Sequence, residues 1–369
     1  MRLKLCGPKK ERISAVGQGF GLRGTVNRNT DNERMFSEAL RYGIELAMTF
    51  IDTAEVYGEG YFEEIVGKTV KGIRGEVFLA TKFSPENSSA ENIKKALDNS
   101  LRRMGTDYID LYQFHWPNPL VPLDETALAL QDLVQSGKVR YIGVSNFGYR
   151  DTQSIISILG ADKLFSAQIE YNLFDRSAEK EAFDLCEHSN MMILAYSPLD
   201  QGRFCPIKRE FLQKIAHKYN KTIAQVVLNW LISHDPVIAI PRSFTKEHIK
   251  ENAVAADFIM SDQDIEAINY EFTTTVELVD IERIILNPMY GKNIYISVKE
   301  ALENVHGFFP SPSELAVSVR AQQYIKPVRL KLLDKGQGKY VLDEGVIRFW
   351  AWVIAFDKSL PIPALIRED

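Results

Sequence analysis

The 369-residue sequence predicts an α/β fold, with a parallel (β/α)8 TIM barrel over residues 1–272 and a small α+β domain over residues 273–369. Three observations predict it. From about residue 15 to 272, eight short β-rich runs alternate with amphipathic helical stretches, a pattern that requires parallel strands joined by crossover helices. Eight such repeats in roughly 260 residues match the size of a TIM barrel. No GxGxxG opens a helix after the first run, which weighs against a doubly wound open sheet.

Residues 1–14 precede the first run and suit a short hairpin closing the barrel bottom. The predicted strands are AVGQG (15–19), FIDTA (50–54), VFLATK (77–82), IDLYQFH (109–115), VRYIGVSN (139–146), SAQIEYN (166–172), MILAYSP (192–198) and VIAIPRS (237–243). Between the third and fourth, SSAENIKKALDNSLRRMG reads as a helix with Ser88 and Glu91 at capping-box spacing and Gly105 just past its end. Past Phe272 the rhythm changes. TTTVELVDIERIILNP is strand-like, and SPSELAVSVRAQQYI (311–325) reads as a helix with Ser311 and Glu314 at capping-box spacing and Pro312 at its first position. KPVRLKLL (326–333), a GQG turn, KYVLDEG (339–345), a helix from Val346 and PIPALI (361–366) then read as strand, turn, strand, helix, strand.

Composition bounds the function. With 45% apolar and 25% charged residues the chain is globular, which excludes disorder and collagen. The net charge of −5 argues against a dedicated nucleic-acid coat protein, which needs a basic face to displace counterions. Residues 273–369 hold equal numbers of basic and acidic side chains, so the acidity belongs to the barrel. Cys6, Cys186 and Cys205 are odd in number and lack CxxC spacing, which favours a reducing compartment and predicts a cytoplasmic protein. The opening MRLKLCGPKKER lacks a signal-peptide core, and VIRFWAWVIAF is too short, and carries Arg348, for a membrane span.

In a TIM barrel the chemistry sits at the C-terminal ends of the strands. Asp52, Lys82 and His115 fall there, and Tyr57 lies five residues beyond Asp52. A lysine ammonium beside a tyrosine favours the phenolate and makes the phenol a better proton donor. Asp52 can hold Lys82 charged and aimed, and His115 can orient a carbonyl oxygen. Such a set can protonate an alkoxide as it forms. It has no nucleophile paired with a base, and His115 alone makes no metal centre. Singly, each residue is as readily a cap or a packing group.

FIDTAEVYGEG (50–60), the TK pair at 81–82, DLYQFHWP (110–117), YIGVSNF (141–147), YSPL (196–199) and IPRSFTKEHIKEN (240–252) together resemble the aldo-keto reductase family over roughly residues 3–272. The resemblance implies NADPH-dependent reduction of an aldehyde or ketone, a sugar or small-metabolite carbonyl among them. Tyr57 would be the general acid, Lys82 and Asp52 its tuning partners, and His115 the carbonyl-orienting group. Ser145, Asn146 and Gln168 match the residues holding the nicotinamide carboxamide, and Tyr196 the aromatic stacking on its ring. Gly19 and Phe20 match the loop approaching the cofactor, and Ser197, Leu199 and Gly202 the pyrophosphate grip. Arg242 and Ser243 match contacts to the adenosine 2′-phosphate, and Glu251 and Asn252 those near adenine. His248 departs from the pattern. It stands where many NADP-preferring members carry a second Arg, and a neutral imidazole gives a phosphate less charge, so NADPH is expected with weakened discrimination against NADH. The link between YSPLDQGRF and the helix FLQKIAHKYN is short, leaving little room for a flap. Phe20, Trp116 and Phe147 are candidates to line a substrate pocket.

The tail resembles the ParB/sulfiredoxin superfamily, whose strand-to-helix GxxR motif contacts nucleotide or DNA phosphate. Gly345 and Arg348 match that motif. Val346 stands where sulfiredoxins carry their reactive Cys, which excludes that chemistry, and the lone Arg348 argues against nuclease or CTPase activity. Arg348 has an equally simple reading as an ion-pair partner of Glu344. The sequence is open to two other readings. In one, the chain is an NADP(H)-binding sensor whose tail engages a nucleotide, nucleic acid or protein partner. In the other, the tail is an oligomerisation or lid element.

Overall fold

The computed structural model describes residues 1–22, 24–202, 206–272, 276–287, 295–321, 325–334 and 338–367. The chain divides into two compact units, its C-terminal part separating after Phe272.

The first unit opens with an antiparallel hairpin, β1 (Leu3–Cys6) and β2 (Glu11–Ser14). Eight parallel strands come next: β3 (Gln18–Gly19), β4 (Phe50–Asp52), β5 (Phe78–Phe83), β6 (Ile109–Phe114), β7 (Val139–Ser145), β8 (Leu164–Glu170), β9 (Met192–Tyr196) and β10 (Val237–Ala239). Each pairs with the next, and a parallel bridge between Val16 and Ala239 closes the ring. Every residue of β5 and β6 is buried, as expected where helices cover one face of a sheet and its own barrel interior the other. The hairpin caps the N-terminal end of the barrel. Cys6 and Ile13 pack among Phe50, Phe78, Leu111, Tyr141 and Phe165, and Gly7 comes so close that a Cβ on it would lie 2.5 Å from the Phe165 ring. An outer layer joins the strands to the helices through Leu40, Ile65, Leu97, Leu130 and Trp230.

Three helices pack beside the first strands of the ring: α1 (Thr30–Glu45), α2 (Tyr61–Val70) and α3 (Ala90–Met104). Gly105, at φ 59°, ends α3 in the left-handed conformation that glycine adopts without strain. Its start corrects the expected capping box. The cap is Ser89, whose hydroxyl accepts from the Asn92 N–H. The Ser88 hydroxyl instead donates to the Pro85 carbonyl, because the turn Pro85–Asn87 puts that carbonyl within 2.7 Å, and Glu91 pairs with Lys95.

Several barrel strands are shorter than expected, among them Phe50–Asp52 and Met192–Tyr196, and the first and eighth are shortened most. Only Gln18 and Gly19 of the first run form a strand, and the eighth run leaves the sheet after Ala239, because Pro241 has no N–H to give a ladder. Its carbonyl still accepts from Gly19 N–H at 3.0 Å. The helix expected from Phe211 begins at Pro206. Arg203 and Phe204 of the preceding link, and Cys205, lie outside the described residues. Cys6 and Cys186 are unpaired, and burial pushes both thiols up to about 12.

The second unit is a five-stranded mixed sheet in the order β11 (Val276–Val279), β15 (Ile362–Arg367), β13 (Val328–Asp334), β14 (Lys339–Glu344), β12 (Ile284–Leu286). The segment expected to be continuously strand-like breaks into β11 and β12 at a turn over Ile281–Arg283. The helix Pro312–Arg320 carries the full capping box of Ser311 and Glu314. The helix Val346–Phe356 lays Phe349, Trp350 and Val353 on Leu330, Leu342 and Ala364 of the sheet. The GQG turn and the residues flanking position 273 lie largely outside the described residues. Among the described residues no helix is long and apolar enough to cross a membrane.

Candidate active site

β4 ends on Asp52, β5 carries Lys82 as its penultimate residue, and His115 comes directly after β6, so the staggered strands deliver three side chains to one end of the barrel. All three are buried. The Lys82 ammonium donates to Asp52 Oδ2 at 2.6 Å and to the Thr53 carbonyl at 2.9 Å. Tyr57 lies half-buried above them on the turn that precedes α2. The Lys82 Nζ is 5.5 Å from its ring centroid, and the His115 ring meets it edge-on at 5.6 Å between centroids. A buried ammonium held by one carboxylate, under a phenol and beside an imidazole, is an arrangement for proton donation.

The Tyr57 turn is built from unusual backbone. Gly58, Glu59 and Gly60 have φ of 54°, 55° and 86°, and Arg28 donates to the carbonyls of Gly58 (2.8 Å) and Glu59 (2.9 Å). A Cβ on Gly21 would fall 2.1 Å from the Tyr57 ring, so only glycine lets the loop after β3 lie against the phenol. Behind the turn, Glu63 of α2 is fully buried. It accepts from the Thr81 hydroxyl at 2.7 Å and from Arg103 Nε at 2.6 Å, and burial pushes its carboxyl upward against the pull of Arg103. Arg28, Gly21, Glu63 and Arg103 were not legible as site residues, although the positive-φ demand of a YGEG turn was a signal for Gly58 and Gly60.

The expected cofactor residues fall into several separate groups. Asn146, itself at φ 60°, donates to the His115 carbonyl at 2.9 Å and to Ser145 Oγ at 3.0 Å, and accepts from the Tyr196 hydroxyl at 2.7 Å. Ser145, Asn146 and Tyr196 are thereby one cluster next to His115. Gln168 instead turns its amide onto Asp52 Oδ1 at 2.8 Å, and Gln113 of β6, a residue that sequence reasoning missed, donates to the same oxygen at 3.1 Å. Gly19, Phe20, Ser243 and Asn252 line one small cavity. Arg242 donates to the Gly21 carbonyl at 3.1 Å, and His248 faces Glu251 at 3.1 Å between its ring nitrogen and the carboxylate. Ser197, Leu199 and Gly202 share a turn in which Ser197 has φ 48° and the Gly202 N–H donates to the Leu199 carbonyl.

Of the residues expected to line a substrate pocket, Trp116 is half-buried, whereas Phe20 and Phe147 are packed into the core. Phe20 meets Phe62 and Phe244, and Phe147 meets Phe114. In the second unit Arg348 donates to the carbonyls of Lys326 (3.0 Å) and Pro327 (2.9 Å) and faces Glu344 at 3.4 Å, with Gly345 left-handed at φ 100°.

Comparison with known proteins gives the barrel its context. Methylglyoxal reductase YeaE of Escherichia coli is 38% identical over 256 residues, 69% of this chain and 89% of its own. Glyoxal reductase of Bacillus subtilis is 35% identical over 253 residues, 68% of this chain and 87% of its own. A Klebsiella pneumoniae aldo-keto reductase solved in complex with NADPH superposes with a TM-score of 0.68 at 32% identity, covering 74% of this chain and 96% of its own. The model of the aldo/keto reductase family matches residues 17–270, the span that carries every barrel strand and the Asp52, Tyr57, Lys82 and His115 cluster, and the chain belongs to that family.

Proposed function

We propose that the chain reduces a small aldehyde or ketone with NADPH, and that Tyr57 delivers the proton. The observation that carries this reading is the buried Lys82–Asp52 pair beneath Tyr57 and beside His115. The methylglyoxal and glyoxal reductases among its relatives favour a short, reactive carbonyl. The neighbour bound to NADPH supports the cofactor. The residues fit a dinucleotide. The Gly19 backbone passes so close to the chain leaving β10 that a Cβ would lie 2.9 Å from the Ile240 carbonyl, and Ser243 and Asn252 share its cavity. Ser145, Asn146 and Gln168 would hold the carboxamide, Tyr196 one ring face, and Ser197, Leu199 and Gly202 the pyrophosphate. Arg242, Ser243, His248, Glu251 and Asn252 would hold the adenosine end.

When bound, the dihydronicotinamide supplies a hydride. As the carbonyl oxygen gains charge, the Tyr57 hydroxyl gives it a proton, and the Lys82 ammonium stabilises the phenolate left behind. Asp52 keeps that ammonium aimed, and His115 orients the carbonyl oxygen. Tyr57→Phe tests the reading. Turnover should fall by about 10²- to 10⁴-fold while NADPH affinity, read by fluorescence titration, is kept, because the phenol acts in the transition state. Loss of NADPH binding instead would mean that the site is wrongly assigned. NADH titrated beside it should bind more weakly, with a modest ratio because His248 replaces a guanidinium.

For residues 273–369 the proposal is a separate ParB/sulfiredoxin-like domain, supported by its strand, strand, helix, strand order and by the Gly345 turn into a helix. A phosphate there would compete with Glu344 and two carbonyls for Arg348.

A further inference from the structure

Gln113 is fully buried in the barrel interior, one strand from Lys82 and in register with it. Its other register neighbour is Gly143 of β7, where a Cβ would lie 2.9 Å from Gln113 Cγ, so glycine opens the slot that the side chain occupies. From that slot the amide Nε2 reaches Asp52 Oδ1 at 3.1 Å, and the Gln168 amide reaches the same oxygen at 2.8 Å. Lys82 takes Oδ2. The carboxylate is therefore held by two neutral donors on one oxygen and one ammonium on the other. Neutral donors stabilise the ionised carboxylate without competing with Lys82 for its charge.

We infer that Gln113 is a positioning residue for the proton-donating cluster: it fixes the rotation of Asp52 so that Oδ2 faces Lys82. In this role it acts through Asp52, while its amide oxygen faces the Gln168 amide at 3.5 Å. The inference rests on the proposed role of Tyr57 and deepens it. Gln168 belongs to the set assigned to the nicotinamide carboxamide, so when its amide turns to that ligand, Gln113 is the donor that stays on Asp52.

The test uses the full chain with Gln113→Met, which keeps length and removes the donor, and Gln113→Glu, which makes the donor depend on a proton. Asp52 and Lys82 are the charged groups beside the introduced carboxyl. At acid pH that carboxyl is protonated and donates to Asp52. As pH rises it ionises against Asp52: burial and the like charge push it above the ordinary glutamate value of about 4.3, and the Lys82 ammonium, already bound to Asp52 Oδ2, offsets part of that rise. We expect Gln113→Met to lower kcat by about 10- to 100-fold with KM and NADPH affinity nearly unchanged, the scale of a misplaced catalytic group. Gln113→Glu should show a new fall of kcat with rising pH. In ligand-free protein its unfolding midpoint should fall over the same interval, since a folded-state pKa raised above the unfolded one removes stability as pH rises. Wild-type kcat and pH profile in both variants would overturn the inference, as would loss of cooperative unfolding or of NADPH binding in both, which would make Gln113 a packing residue. Tyr57→Phe, run in parallel, separates the two ideas. If it abolishes turnover while the Gln113 variants behave as wild type, the positioning role alone fails; if it leaves turnover intact, the general-acid reading fails.

Discussion

Asp52 and Lys82 face each other at 2.6 Å with both side chains almost completely buried. Removing one charge of such a pair leaves the other desolvated, a loss of about 3–5 kcal/mol. Asp52→Asn should therefore lower unfolding stability in urea by about that amount as well as turnover. If stability is unchanged, the pair is more hydrated than its burial implies. Asn146 works through neutral contacts instead: one amide joins the His115 carbonyl, Ser145 and Tyr196. Asn146→Ala breaks three contacts and keeps a left-handed residue without a glycine, so NADPH affinity should weaken by roughly tenfold, the equivalent of one to two hydrogen bonds at about 1 kcal/mol each. Isothermal titration reads it directly. Asp52, Lys82 and His115 were legible because strand ends announce themselves in sequence, and Tyr57 because it lies close behind one of them. Gln113 and Gly21 were not. An amide in a strand does not reveal which carboxylate it faces, and a glycine does not reveal which ring fills its missing Cβ.

At the level of elements, α2 is the part that turns sequence into geometry. Glu63 ties it to β5 through Thr81, next to Lys82, and to α3 through Arg103, while a Cβ on Gly60 would meet Arg103 at 2.5 Å. The Tyr57 turn is thus clamped between two elements. Burial raises the Glu63 carboxyl above its unfolded value, so between the two values the folded state binds more protons and the Glu63 contribution to stability is lost as pH rises. Glu63→Gln should remove that slope: its stability difference from wild type, measured by urea unfolding across pH, should shift in favour of the variant as pH rises past the carboxylate range. A difference that is flat with pH would mean that Glu63 titrates alike in both states. Boundaries were less legible than the elements themselves. Ser88 lost the helix cap to Ser89 because a prolyl turn captured its hydroxyl, and the eighth run was read too long because its apolar residues continue through Ile240 up to a proline that the ladder cannot use.

The molecule as a whole is two compact units in one chain. Each has its own buried cluster, the barrel around Trp230 and Leu130 and the second unit around Leu330 and Trp350. Trp350 packs in the second core and donates to the Tyr295 carbonyl at 2.9 Å. Trp350→Phe should lower the stability of that unit by about 1–3 kcal/mol through the unpaired carbonyl and lost volume. Carbonyl turnover should stay as in wild type, and a steep loss would contradict a division of labour between the units. The eightfold rhythm made the barrel readable at this scale because it repeats. The second unit has no repeat, and its strand order, with β11 beside β15 and β12 beside β14, comes from long-range pairings that no local pattern encodes.

The barrel closes on its slightest strand. β3 is two residues long, and the ring is joined there by Gly17 and Gly19 N–H donating to the Ala239 and Pro241 carbonyls and by Ala239 N–H donating to the Ala15 carbonyl. Gly19 and Phe20 flank one side of that joint, and Pro241 to Ser243 the other, so a dinucleotide gripping both sides would lie across it like a stitch across a cut. Ligand would then do for the closed ring what a longer first strand does not. Deuterium uptake at residues 15–20 and 239–243 should slow on NADPH addition more than uptake along β6 and β7, which are already shut in on both edges.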